Sequence, residues 1–156
     1  MGPLWEALEA KDAVLVPVPL HSSRQRERGF NQAELLARGL SGLLRKTGKG
    51  PRLETHCLRR TRSTPPQTGL SLAARRENVR GVFAVDHPEV VRDLEAVLVD
   101  DVMTTGATLS ACAAALKHAG ATRVCALTLA RATPQFPDFD AEAHAVSVDE
   151  LGREQT

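Results

Sequence analysis

Two carboxylates, Asp100 and Asp101, end the apolar run of the stretch VLVDDVMTTGATL, Val97 to Leu109, and three threonines and a glycine follow them. A turn of that composition between a strand and a helix is a cradle for phosphate. The first backbone N–H groups of the helix lack intrahelical partners, and the positive end of the helix dipole adds to them. Gly106 lets the backbone approach an anion closely, and Thr104, Thr105 and Thr108 add hydroxyl donors. No lysine and no G-x-x-x-x-G-K is present here, which excludes a P-loop nucleotide triphosphatase. The two acids cannot themselves ligate phosphate without strong repulsion, so something neutral or cationic must lie beside it. A ribose 5-phosphate meets both demands, because its vicinal hydroxyls can donate to two adjacent carboxylates. Mg2+ is the competing partner for the acids, and both can be present together.

Positive charge is concentrated elsewhere in the chain. Nine of the sixteen arginines fall in two segments: Arg24, Arg26 and Arg28 in HSSRQRERGF, then Arg59, Arg60, Arg62, Arg75, Arg76 and Arg80, with Glu77 the only acid among the latter. Arginine in a turn-rich segment suits charge-assisted, bidentate binding of phosphate oxygens. An anionic ligand is one way to account for both clusters.

The elements that must position these residues follow from periodicity. AVLVPVPL, Ala13 to Leu20, reads as a buried strand closed by Pro17 and Pro19. Leucines and alanines at helical spacing predict a helix from Asn31, its N-cap, to about Arg45. Leu53 to Leu58 is a weak strand candidate, and Val82 to Val85 a short one. Between them Arg59 to Gly81 shows no sustained apolar periodicity and reads as a long irregular loop. Ala96 to Val99 is a second buried strand feeding into the acid pair, Thr108 to Ala119 a helix stopped by Gly120, and Val124 to Ala130 a third buried strand. Strands apolar enough to be covered on both faces and alternating with helices predict an α/β fold with a mainly parallel central sheet. Ligands of such sheets bind beyond the C-terminal strand ends, where both the first arginine loop and the acid–threonine loop lie.

A length of 156 residues predicts one domain spanning the whole chain. The 42% apolar and 25% charged composition is that of a globular protein, and no run approaches the roughly 20 apolar residues of a membrane span. MGPLWEALEAKD lacks the basic flank and apolar core of a signal peptide, so a cytoplasmic location is expected. Cys57, Cys112 and Cys125 form no C-x-x-C pair and read as buried small residues. A net charge of +1 and the lack of a basic helical stripe argue against direct DNA binding. Pro134 to Thr156 is a polar tail with no predicted element.

VLVDDVMTTGATL resembles the phosphoribosyl-pyrophosphate (PRPP) signature of type I phosphoribosyltransferases. VPVPLHSSRQRERGFNQAELLA and LRRTRSTPPQTGLSLAARRENVRGVF extend the resemblance to the ComF family, associated with competence and DNA uptake, over roughly Asp12 to Arg131. The resemblance implies the type I phosphoribosyltransferase fold, with a flexible hood over about residues 59–81. It implies that Asp100 and Asp101 hold the ribose hydroxyls, and Mg2+ directly or indirectly. Thr104, Thr105, Gly106, Ala107 and Thr108 would hold the 5-phosphate, and Arg24, Arg26 and Arg28 the pyrophosphate. Arg60, Arg62, Thr64, Gln67, Arg75 and Asn78 fall on the family's hood pattern. ComF proteins commonly carry an N-terminal four-cysteine zinc ribbon, and this sequence begins after its place.

The expected activity is Mg2+-dependent transfer of the 5-phosphoribosyl group from PRPP to an unidentified acceptor, with release of pyrophosphate. The alternative is a non-catalytic PRPP- or nucleotide-binding module acting in competence and DNA uptake. Expected partners besides PRPP and the acceptor are a second copy of the chain or a component of the competence machinery, with no membrane.

Overall fold

The computed structural model describes residues 12–20, 26, 29–46, 48, 50–62, 64, 71–131 and 144–147, with the backbone alone for residues 72, 73, 75, 76, 131 and 144–147. Strand β1, Ala13–Pro17, is buried at every position. Helix α1, Gln32–Lys46, starts at Asn31 as its spacing predicts. The Asn31 side chain works in two directions: its Oδ1 accepts from the Ala33 N–H at 3.1 Å, and its Nδ2 donates to the Val18 carbonyl at 3.0 Å. One residue thereby caps α1 and ties its start to the exit of β1.

The expected single strand from Leu53 to Leu58 is two strands in different sheets. Strand β2, Arg52–Leu53, lies beside β1, and β3, Leu58–Arg60, pairs antiparallel with β4, Phe83–Val85. The chain leaves the main ladder after Glu54, whose N–H donates to Leu15 at 2.9 Å, and bends so that Cys57 and Leu58 are buried against the other face. The stretch read as an irregular loop holds strand β3 at its start and helix α2, Leu72–Val79, near its end. Periodicity misses α2 because only one side carries apolar residues over barely two turns. Its signals are local: Ser71 accepts from the Ala74 N–H at 3.3 Å, and Ala, Arg and Glu favour the helix that follows.

Strand β5, Glu95–Met103, helix α3, Ala107–His118, and strand β6, Arg123–Arg131, fall where the apolar pattern puts them. β5 is longer than its apolar run, so Asp100 and Asp101 are strand residues and not a turn after it. Gly120 ends the α3 segment in a positive-φ conformation, at 103°. Strand β7, His144–Ser147, lies in the tail for which no element was predicted.

The main sheet has the order β2-β1-β5-β6-β7, with the first four strands parallel and β7 antiparallel on the edge. Its alternate residues supply two cores. Val14, Val16, Ala96, Leu98, Val124 and Ala126 face α3 and the β3–β4 hairpin. Leu15, Val97 and Val99 face α1 through Ala37 and the half-buried Leu36 and Leu40. The sheet is thus covered on both faces, as parallel strands require.

The turn into β2 depends on Gly50. Its φ is 125°, and a Cβ there would sit 2.7 Å from the Leu44 Cβ. Gly50→Ala is expected to lower stability by about 1–3 kcal/mol through backbone strain and the clash with α1. Urea unfolding of the two proteins measures this; an alanine variant of unchanged midpoint would contradict the assigned backbone.

Candidate functional site

β5 carries the acid pair to the C-terminal edge of the sheet. Ala96–Val99 are buried, and Asp100 and Asp101 are half-buried. Each carboxylate folds onto the next backbone amide: Asp100 Oδ1 accepts from the Asp101 N–H at 2.9 Å, and Asp101 Oδ1 from the Val102 N–H at 2.8 Å. Burial, followed by the neighbouring Asp101 charge, pushes Asp100 up to about 7. Asp100 therefore exchanges its proton near neutrality and stays ionised most readily beside a cation or a hydroxyl donor.

The chain then turns through Thr104 and Thr105 to Gly106, which takes a left-handed conformation, φ 73° and ψ 1°, at the N-terminus of α3. A side chain at position 106 would be strained there. Thr105 Oγ1 accepts from the Ala107 N–H at 3.4 Å. Asp100, Thr104, Gly106, Ala107 and Thr108 all line one shallow notch of about 30 Å³. The fold thus brings Asp100 and the threonine turn to one notch, while Asp101 and Thr105 do not line it.

Of the first arginine loop, Arg24 and Arg28 lie outside the described residues, and Arg26 is exposed. The ends of that loop are described: Pro19, Leu20 and Asn31 border a cavity of about 610 Å³ at the end of β1, which Arg60 and Thr61 of the hairpin close from the other side. Arg60 lies 5.7 Å from the Phe83 ring centroid and donates from Nη2 to the buried Thr64 hydroxyl. Arg62 is exposed and donates to the Arg80 carbonyl at 3.4 Å. Asn78 is half-buried on α2, Arg75 is placed there by its backbone, and Gln67 lies outside the described residues.

All three cysteines are buried, and Cys57 and Cys112 are unsuited to nucleophilic work. Burial and the Glu54 charge push Cys57 up to about 11. Burial and the charge of Asp100 hold the Cys112 thiol well above its usual range, with Arg60 acting in the opposite direction. Asp100 of β5 and Arg60 of the hairpin therefore both act on the Cys112 thiol of α3.

One residue here escaped the sequence reading. Thr128, the polar member of the apolar run VCALTLA, pairs in register with Asp100 and is buried. A lone hydroxyl in a fully apolar strand was the available signal.

Among the described residues no group of three or more His, Cys, Asp or Glu side chains is arranged to hold a metal ion. The adjacent pair Asp100 and Asp101 still fits Mg2+, which takes few protein carboxylates and completes its shell with water and substrate phosphate oxygens. No described helix is long and apolar enough to cross a membrane.

The phosphoribosyl transferase domain model matches residues 27–151. The chain is 38% identical over 110 residues to DNA utilization protein YhgH of Salmonella typhi, covering 70% of this chain and 45% of that protein. It is 40% identical over 120 residues to Competence protein F of Haemophilus influenzae, covering 76% and 50% respectively. Against Competence protein ComFC of Bacillus subtilis it is 33% identical over 122 residues, covering 78% and 45%. The chain spans about half the length of the curated relatives it matches. With an acid pair and a threonine-rich helix start at the edge of a mainly parallel sheet, the chain belongs to the phosphoribosyltransferase domain family, in its ComF branch.

Proposed function

We propose that this protein binds PRPP with Mg2+ and transfers its 5-phosphoribosyl group to an acceptor, releasing pyrophosphate. The observation that carries the reading is the shared notch of Asp100, Thr104, Gly106, Ala107 and Thr108, which sets a carboxylate beside an anion-binding helix start. In this reading the backbone amides at the start of α3 and the hydroxyls of Thr104, Thr105 and Thr108 hold the 5-phosphate. Asp100 and Asp101 accept from the ribose hydroxyls and fix the sugar ring. Arg24, Arg26 and Arg28 hold the pyrophosphate as it leaves, and Arg60, Arg62, Gln67, Arg75 and Asn78 belong to the segment that closes over the donor. Mg2+, when bound at the acid pair, would neutralise the charge that develops on the departing pyrophosphate.

The chain's own contribution is positioning and electrostatics. The displacement breaks the bond from the anomeric carbon to pyrophosphate and forms one to the acceptor. The site offers no activated nucleophile, since Cys57 and Cys112 are held protonated. The names of the relatives favour a second reading, a PRPP-binding module without catalysis that serves competence or DNA utilisation.

Calorimetry with PRPP and Mg2+ tests donor binding. Asp101→Asn is expected to weaken binding roughly 10- to 100-fold, the loss of one charge-assisted hydrogen bond. No binding to the unaltered protein would end both readings. If PRPP binds, pyrophosphate release across a panel of bases and amines separates enzyme from binding module.

The titration of Asp100 gives donor affinity a pH dependence. Binding requires the ionised carboxylate, and its proton leaves at about pH 7 in the free protein. Affinity should therefore rise about tenfold from roughly pH 6 to roughly pH 8, with about one proton released per donor bound at the lower pH. Asp100→Asn should bind more weakly and lose this dependence. An unaltered slope in that variant would assign the proton to another group.

A further inference from the structure

We propose that Thr128 is a positioning residue for Asp100, its buried hydroxyl donating to the Asp100 carboxylate when that group is ionised. The inference rests on the donor-binding reading for its consequence, and on two independent observations for its geometry.

The first observation is register. Asp100 of β5 pairs with Thr128 of β6, on neighbouring parallel strands about 4.8 Å apart. Both side chains belong to the face of the sheet that packs on α3, because Leu98 and Ala126, two residues earlier on each strand, lie in that core. The second is burial without satisfaction: Thr128 is 2% exposed, and its Oγ1 has no hydrogen-bond partner among the described residues. A buried, unpartnered hydroxyl thus stands in register with one half-buried carboxyl on the same face of the sheet.

Valine has the shape of threonine and would fill this position with no orphaned polar atom. A buried hydroxyl without a partner is a net cost to the fold, and its neighbours from Val124 to Ala130 are otherwise apolar. A conditional partner resolves this, and Asp100 is the acceptor in register. In the free protein the Asp100 Oδ1 is engaged by the Asp101 N–H at 2.9 Å. Once the group is ionised, rotation of the threonine about χ1 offers the donor that fixes the plane of the carboxylate.

The test compares the full chain with Thr128→Val and Thr128→Ser by calorimetry with PRPP and Mg2+, by thermal unfolding, and by 13C NMR titration of the aspartate carboxyls. The valine variant should unfold at the same or a higher temperature, bind PRPP about tenfold more weakly, and show a raised Asp100 midpoint. The serine variant should keep the affinity and midpoint of the unaltered protein. Equal PRPP affinity and an unmoved midpoint in Thr128→Val overturn the role of Thr128 and leave donor binding intact. Weaker binding with loss of stability that serine does not restore also overturns it, because packing then suffices. If the unaltered protein binds no PRPP, the donor reading falls and the midpoint alone decides: raised by valine and restored by serine supports the contact, unchanged in valine refutes it.

Discussion

The site hangs on the burial of β5 between β1 and β6. Val97, Leu98 and Val99 are sealed on both faces and hydrogen-bonded on both edges, so the strand cannot slip without moving apolar side chains to the wrong core. That constraint fixes where the strand emerges. Asp100 and Asp101 appear at the sheet edge as a direct continuation of it, and Gly106 then turns the chain into α3 within three residues of Met103. Charges that repel one another, and a glycine in a left-handed conformation, both disfavour this arrangement locally. The ladder beneath holds them together nonetheless, and with them the perturbed titration of Asp100.

Much of this was legible in the sequence, and the exceptions have a common cause. The long helices α1 and α3 and the three central strands are read from periodicity because each buries a continuous apolar set. Asn31 and Gly120 mark their ends by local chemistry alone. What escaped was short or defined by partners far along the chain. Strand β3 exists because Phe83–Val85 lies beside it, and β7 because β6 offers an edge, neither of which a local window contains. At the site the acid pair and the threonine turn were recognisable by residue type. Thr128 was not, since its relevance arises from register with a residue 28 positions earlier. Arg24, Arg28 and Gln67, also singled out by type, lie outside the described residues.

The β3–β4 hairpin joins the site from a separate two-stranded sheet. Its buried residues Leu58 and Phe83 share the α3-facing core with Leu109 and Cys112. Arg60 extends from this hairpin over the Phe83 ring, and its charge is felt by the same thiol that senses Asp100. The hairpin is thus packed against the helix that opens at the threonine turn, while its connecting segment spans the residues of the hood pattern. Asp100 of β5 and Arg60 of the hairpin thus act with opposite sign on one thiol of α3.

The parallel ladder between β1 and β5 also acts as a ruler. The Val18 N–H donates to the Val99 carbonyl at 2.9 Å, so the root of the arginine loop and the root of the acid pair are held one strand spacing apart, about 4.8 Å. Loop sequences on either side can vary without altering that interval, because it is set by backbone hydrogen bonds and not by side chains. A ligand that engages both roots is measured against a fixed gauge.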